Sequence, residues 1–555
     1  MHKKLTLSFT MAVIGACLLV ASSFAGAASA GAPQKAGSSE VKRGGTLRLN
    51  ASNTDFEFTD PALAYDSLGW QMLFATSMAL MNYPDKPGAE GSRLVPEAAA
   101  GFPRVSKDGK TYTFTVRTGI KFSDGSAVTA AAFKRAFERA ADPKQASPAI
   151  AFMHTVVGAD ARNEGKAGSV SGVTAKGQTL TVRLTQADPT FLAQVAMPFF
   201  VAVKPSMPID AKGVNVYPSA GPYKIVSREV GRQLVLERNT FYKGNRPSNA
   251  DRIVYTVNTE QNQSLLQVRA GQADYDAGGL PPTAHDGLSK EYGVHKGGPY
   301  RYFVNSVVST TYLALNTIGG PLGKVANRKA VNIAIDRPAL LRVAGKFAGA
   351  RTDQILPPNM RGFKQADIYP LKGANPTRAK QVSGGDSSEL TVLHTTSATS
   401  QARAQVLQFN LTQAGFKVKL KPQPFAVAIK TAGTKSQAQA GDFDMFLIGW
   451  LADYPDPFDF INVLLEGSSI QDANNSNYTY LNDPTYNKRM LAAAKLSGEP
   501  RYKAYGQLDV DLMKNLAPWA PLSNGNTREF ISNRITNYIY HPVYSGMIIN
   551  AAAVK

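Results

Sequence analysis

The stretch that most constrains this chain runs from Phe443 to Phe460. Phe443 to Trp450 is dense in large apolar residues, broken only by Asp444 and preceded by Gly441 and Asp442. A short run of this kind predicts a strand buried on both faces, as in a parallel sheet. Pro455 and Pro457 end it sharply. Open α/β sheets bind ligands beyond the carboxyl ends of their strands, which puts Trp450 and Asp453 where a ligand would lie. Charge adds to this. From Ser436 to Asn487 there is no Lys or Arg but there are eight acids, in a chain of net charge +20. A carboxylate beside an indole suits a cationic or amine-bearing ligand. The local sequence equally allows solvated loop acids and a core Trp450.

At 555 residues the chain exceeds one ordinary core, so two or three domains are expected. The single cysteine, Cys17, lies in the first segment, which leaves the folded part without a disulfide or a thiolate metal site. The six histidines form no close pair, and HExxH, P-loop and GxSxG patterns are absent. We therefore expect no metal, no cofactor and no catalytic residue. Lys and Arg are scattered, without a basic run interleaved with aromatics, so the charge reads as general surface charge rather than a nucleic-acid footprint.

Lys3 and Lys4, the apolar stretch from Leu5 to about Ala25, and Ala28-Ser29-Ala30 read as an export signal over residues 1–30, followed by a linker over 31–43. Lipid anchoring through Cys17 is the rival, but Leu18, Leu19 and Val20 stay apolar where an anchored chain usually turns polar, so the soluble exported form is expected. No other stretch has the length and apolarity of a membrane span, which excludes a transmembrane transporter.

Tyr112, Phe114 and Val116 alternate with threonines after the turn at Asp108-Gly109, predicting a half-buried antiparallel strand. Leu180, Val182 and Leu184 predict another. Leu68 to Met81 is apolar enough for a buried helix. In the second half, Leu390–His394, Gln401–Ala414 and the alternation of Phe416, Val418 and Leu420 with lysines predict a βαβ unit with parallel strands. A helix is expected from about Glu499 to Leu516, with Pro500 in its first turn. Pro518 and Pro521 are expected to mark a return crossing.

These residues carry a resemblance. Gly44-Gly45-Thr46-Leu47, Asp60-Pro61, the runs Asp108 to Phe114 and Lys121 to Gly125, Val128-Thr129-Ala130, Gly221-Pro222-Tyr223, Arg328 through Ala334-Ile335-Asp336-Arg337, and Gly449-Trp450 to Asp456-Pro457 occur in an order and spacing similar to the oligopeptide- and dipeptide-binding family of ABC-importer solute-binding proteins, solute-binding protein family 5. The resemblance implies a two-lobe α/β flytrap that closes by hinge motion. The first lobe would be 44–276, including an extra subdomain at about 63–177. The second lobe would be 277–524, and 525–555 would return to the first.

It further implies that Asp453 pairs with a ligand's α-ammonium, and that the strand residues before it, Gly449, Trp450 and Leu451, offer backbone to a peptide by strand addition. Tyr65 and Asp66 fall in the first-lobe segment that meets the ligand, and Phe425 where some members carry a pocket-lining aromatic. Core packing for Phe425 and a surface position for Tyr65 are the alternatives. The chain also departs from the pattern. Met445, Phe446 and Leu447 stand where a peptide-binding member has an arginine, and Lys243 follows Tyr242 where many have Trp. These departures weaken the expectation of a ligand with a free C-terminus, and the family also carries sugars, nickel chelates and haem.

The expected partners are thus a peptide or small solute and the permease subunits of an ABC transporter at the outer face of the cell envelope. No nucleic acid is expected, and the protein should be a monomer. Two other readings compete: a secreted hydrolase with Asp453 and Asp456 as a carboxylate pair, and an anionic-surface protein resting on net charge alone.

Overall fold

The computed structural model describes residues 43–473 and 475–555. The expected signal at 1–30, Cys17 and nearly all of the linker at 31–43 lie outside the described residues. No helix among the described residues is long and apolar enough to cross a membrane.

Three sheets organise the chain. The first has five strands in the order Tyr275–Asp276, Thr46–Ser52, Arg252–Thr259, Gln233–Arg238, Tyr223–Glu229. Thr46–Ser52 runs parallel to both of its neighbours. Its core joins Leu47, Leu49 and Tyr255 to Ile531, Ile549 and Val554, so the end of the chain packs with the first described strand. The second sheet is antiparallel and small: Arg104–Val105, Thr111–Thr115, Thr179–Arg183, Val173–Lys176. Tyr112, Phe114, Leu180 and Val182 all face inward, as their period-two spacing requires, onto the helix Ala130–Ala141 through Phe133 and Phe137.

The third sheet carries the site. Its strands run Tyr302–Ser306, Trp519–Phe530, Ser309–Leu315, Met445–Leu451, Glu389–Thr395, Lys417–Gln423. Glu389–Thr395 and Lys417–Gln423 are parallel and joined by the helix Ala398–Gln413. Met445–Leu451 lies antiparallel to Ser309–Leu315 along its full length, but pairs with Glu389–Thr395 only at Met445 and Phe446. From Leu447 onward that side of the strand is unpaired by its sheet neighbour.

Three local expectations need correction. The helix expected over 68–81 is Ser67–Thr76, because Gly221 donates its N–H to the Thr76 carbonyl and passes too close for the helix to continue. Pro518 and Pro521, expected to mark a return crossing, do not interrupt the sheet. Trp519–Phe530 is one continuous strand, with Pro521 beside a register shift against Thr311 and Tyr312, where a ladder N–H is dispensable. The boundary expected at 524/525 therefore falls inside a strand that pairs with Ser309–Leu315 before it and with Tyr302–Ser306 after it. Finally, Met445–Leu451 is buried on both faces only through Leu447; Ile448, Trp450 and Leu451 are half-buried and Gly449 is exposed.

Candidate functional site

The outer half of Met445–Leu451 opens onto a cavity of about 490 Å³. Gly449, Trp450, Leu451, Asp453, Tyr65, Asp66 and Phe425 all line it, joined by Glu57 and Tyr478. Asp66 is the N-cap of the helix Ser67–Thr76: its Oδ1 accepts from the Gly69 N–H at 2.9 Å, so the sequence that starts the helix also sets an acid on the cavity wall. Phe425 opens the helix Phe425–Ala432 and stands 60% exposed, so it is not a core residue. Tyr65 is no surface aromatic. It is half-buried against Trp70 and Phe199, and its hydroxyl donates to Asp453 Oδ2 at 2.6 Å.

The loop after the strand is held from both sides. Tyr454 is fully buried in the apolar core that Phe114 and Phe133 share. Asp456 receives two hydrogen bonds from Arg501, Nε at 3.1 Å and Nη2 at 2.7 Å, and the guanidinium is almost wholly enclosed. The supposed Asp453/Asp456 pair is thus not a pair: Asp456 is spent on Arg501.

The carboxyl that meets Asp453 is Asp459, a position sequence reasoning noted only as one acid of the window. Pro457 precedes the helix Phe458–Leu465, and Asp459 in its first turn points back under the loop. Asp459 is fully buried, and its Oδ2 accepts from Trp450 Nε1 at 3.0 Å and from the Asp453 N–H at 3.1 Å. Trp450 both lines the cavity and braces Asp459. The Asp453 backbone thus sits directly on the Asp459 carboxyl, and with both side chains buried the two charges oppose each other. Burial, then the neighbouring Asp453 charge, pushes Asp459 well above the usual carboxylate range, so it keeps the proton. Burial likewise pushes Asp453 up to about 7, against the opposing bonds from Tyr65 and Asp459.

Glu57, raised first by burial and then by the Asp66 charge, completes the acidic wall. No Lys, Arg or His lines this cavity among the described residues. Nothing in the sequence around Glu57 marks it; Asp459 could have been found from its helical spacing to the Pro-rich loop. Chemically, the arrangement offers three acids, a half-open strand edge and aromatic walls to a solute that brings its own positive charge.

Two α/β lobes meeting on such a cavity define a flytrap-type solute-binding protein. A family model described as bacterial extracellular solute-binding proteins, family 5 Middle, matches residues 93–472. The chain belongs to that family, the solute-binding proteins of ABC importers. The oligopeptide-binding protein OppA of Bacillus subtilis is 27% identical over 480 residues, covering 82% of this chain and 83% of that protein. Heme-binding protein A of Haemophilus influenzae is 25% identical, covering 82% of this chain and 83% of that protein. Among solved structures, the clavulanic acid biosynthesis oligopeptide binding protein 2 superposes with a TM-score of 0.81 at 22% identity, covering 92% of this chain and 96% of that one. The Escherichia coli murein tripeptide binding protein MppA gives 0.77 at 24% identity, covering 92% and 98%.

Proposed function

We propose that the cavity captures a peptide or another amine-bearing solute, with its ammonium on Asp453, and that the protein delivers this cargo to a membrane permease. The observation that carries the reading is the acid-only lining: among the described residues, Asp453 has a tyrosine and a carboxyl beside it but no cation. A desolvated carboxylate without a counter-charge is costly, and a ligand ammonium offsets that cost. The unpaired side of Leu447–Leu451 supports backbone pairing by an extended peptide, as strand addition requires. Relatives named for peptide binding support the same reading.

In this reading the first lobe, 44–276 with its subdomain at about 63–177, and the second lobe swing about the segment after Asp276 and the strand end near Phe530, and ligand favours the closed arrangement. The protein works at the outer face of the cell envelope as a soluble monomer; a mature N-terminus at Gly31, read by mass spectrometry, distinguishes this from a lipid on Cys17. Calorimetric titration tests the binding claim with a peptide and its N-acetylated form. Acetylation should weaken wild type strongly and hardly affect Asp453→Asn. Equal losses in both proteins would remove Asp453 from this role.

A further inference from the structure

A second cavity, of about 420 Å³, adjoins the first. Both are lined by Ser67, Gln71, Phe74, Leu451 and Tyr544, and the Phe74 and Tyr544 rings stack at 3.3 Å between centroids. Its far wall is made by Gly278–Leu280, His285 and the end of Trp519–Phe530, where the chain passes between lobes.

Its charge differs from that of the first. Arg528 lines it and has no carboxylate within ion-pairing distance among the described residues. Only Nη1 is engaged, donating to the Ala344 carbonyl at 2.8 Å and the Lys346 carbonyl at 3.3 Å. The two acids on the same wall are occupied. Glu529 accepts from Tyr275 at 2.6 Å, Tyr538 at 2.5 Å and the Met547 N–H at 3.0 Å, and Asp85 accepts from Asn550 at 2.6 Å. His285 is 1% exposed; its Nδ1 meets the Tyr302 hydroxyl at 3.0 Å, while its Nε2 is buried with no partner. In the tautomer where Tyr302 donates to Nδ1, Nε2 carries the hydrogen and is a donor; in the other, Nε2 is an acceptor. Burial, then the Arg528 charge, holds this imidazole neutral, with its pKa lowered to about 3.

A half-buried guanidinium without an anion lines the cavity together with His285, whose Nε2 is unpartnered just behind the wall; with Nε2 protonated, both suit the same partner. We propose that this hinge cavity is an anion subsite, in which Arg528 and His285 hold the carboxylate of the solute whose other end lies at Asp453. The solute is then zwitterionic and spans both cavities. This assignment rests on the solute-capture reading for the identity of the ligand, but the anion site itself does not.

Two measurements test it. The first compares a peptide with its C-terminal amide by calorimetry. Amidation should weaken wild type about 30-fold or more, the loss expected for an unpaired buried charge, should change Arg528→Met by less than about threefold, and should cost His285→Ala less than wild type but more than Arg528→Met, since the guanidinium remains there. Equal losses in wild type and variants overturn the proposal. The second needs no peptide: acetate at about 100 mM, against chloride at equal ionic strength, should raise the melting temperature of wild type above that of Arg528→Met. No difference overturns the anion site. An acetate effect confined to wild type, together with equal amidation losses, would make it a site for a free anion and overturn the solute-carboxylate assignment. If N-acetylation has no effect on wild type while both Arg528 results hold, the amine reading fails and the hinge site stands. Should Arg528→Met not fold, Arg528→Gln carries both measurements.

Discussion

Asp456 and Asp453 stand three residues apart in one loop, and the first has a guanidinium where the second has another carboxyl. On the back of the loop, Arg501 and Asp456 form a closed, nearly bidentate pair that fixes the backbone. On the front, Asp453 and Asp459 are two buried acids with no cation beside them among the described residues, so only a proton or an incoming cation can balance them. The same side chain therefore serves anchoring on one side and chemistry on the other, and the partner rather than the residue type decides which.

The largest effect should come from breaking the back. Arg501→Met or Asp456→Asn leaves a partner buried and unpaired, which should cost about 3–5 kcal/mol of folding stability in urea denaturation. The Asp456 variant cannot serve as a neutral control for the loop. A loss under about 1 kcal/mol would mean that the pair does not anchor the loop, and the contrast would collapse.

Changing the front should do the reverse. Asp453→Ala should lose about 2–5 kcal/mol of affinity for an amine-bearing peptide while folding stability is kept. A variant as unstable as Arg501→Met would show that the front is structural too.

pH sharpens the comparison further. Burial pushes Asp453 up to about 7, so below that pH it is increasingly protonated and unable to pair with an ammonium. Affinity should fall by up to about tenfold per pH unit as pH drops below 7. The sign for folding is opposite. Asp453 and Asp509, both pushed up to about 7 by burial, bind protons more tightly folded than unfolded. Their contribution to stability is fully present below the unfolded carboxylate range and is lost as pH rises through about 7. Buried His285 and His541, held neutral in the fold, oppose this below pH 6.5, so melting curves of the protein without added peptide should decline from about pH 6.5 to pH 8. A flat affinity profile in wild type would contradict the raised Asp453.

The smallest effect is expected at Tyr65. Tyr65→Phe removes a donor that favours charged Asp453 and should cost about 1–2 kcal/mol of binding, with the pH midpoint moved upward. A downward move would mean that Tyr65 does not act on Asp453.

How much of this was readable depends on distance along the chain. The strand ending at Leu451, the βαβ unit and the helix Gly498–Asn515 follow from local periodicity and proline placement, and their bounds moved by only a few residues. The residues proposed for the site gather on one cavity because strand, loop and cap are each short-range features. The partner of Asp456 was illegible because Arg501 lies forty-five positions away and nothing local pairs them. Pro521 misled for a related reason: a proline is a stop signal in sequence, and only the neighbouring strand's register shift shows that its missing N–H goes unneeded.

The acidic cavity sits in a chain whose net charge is +20. At a distance, a cationic solute meets repulsion; only within about 8 Å, the screening length at physiological salt, do the cavity acids dominate. Encounter and recognition then respond oppositely to ionic strength. Moderate salt should quicken the arrival of a positively charged solute by shielding the outer field, while the enclosed pairing at Asp453, being little screened, holds its residence time nearly constant.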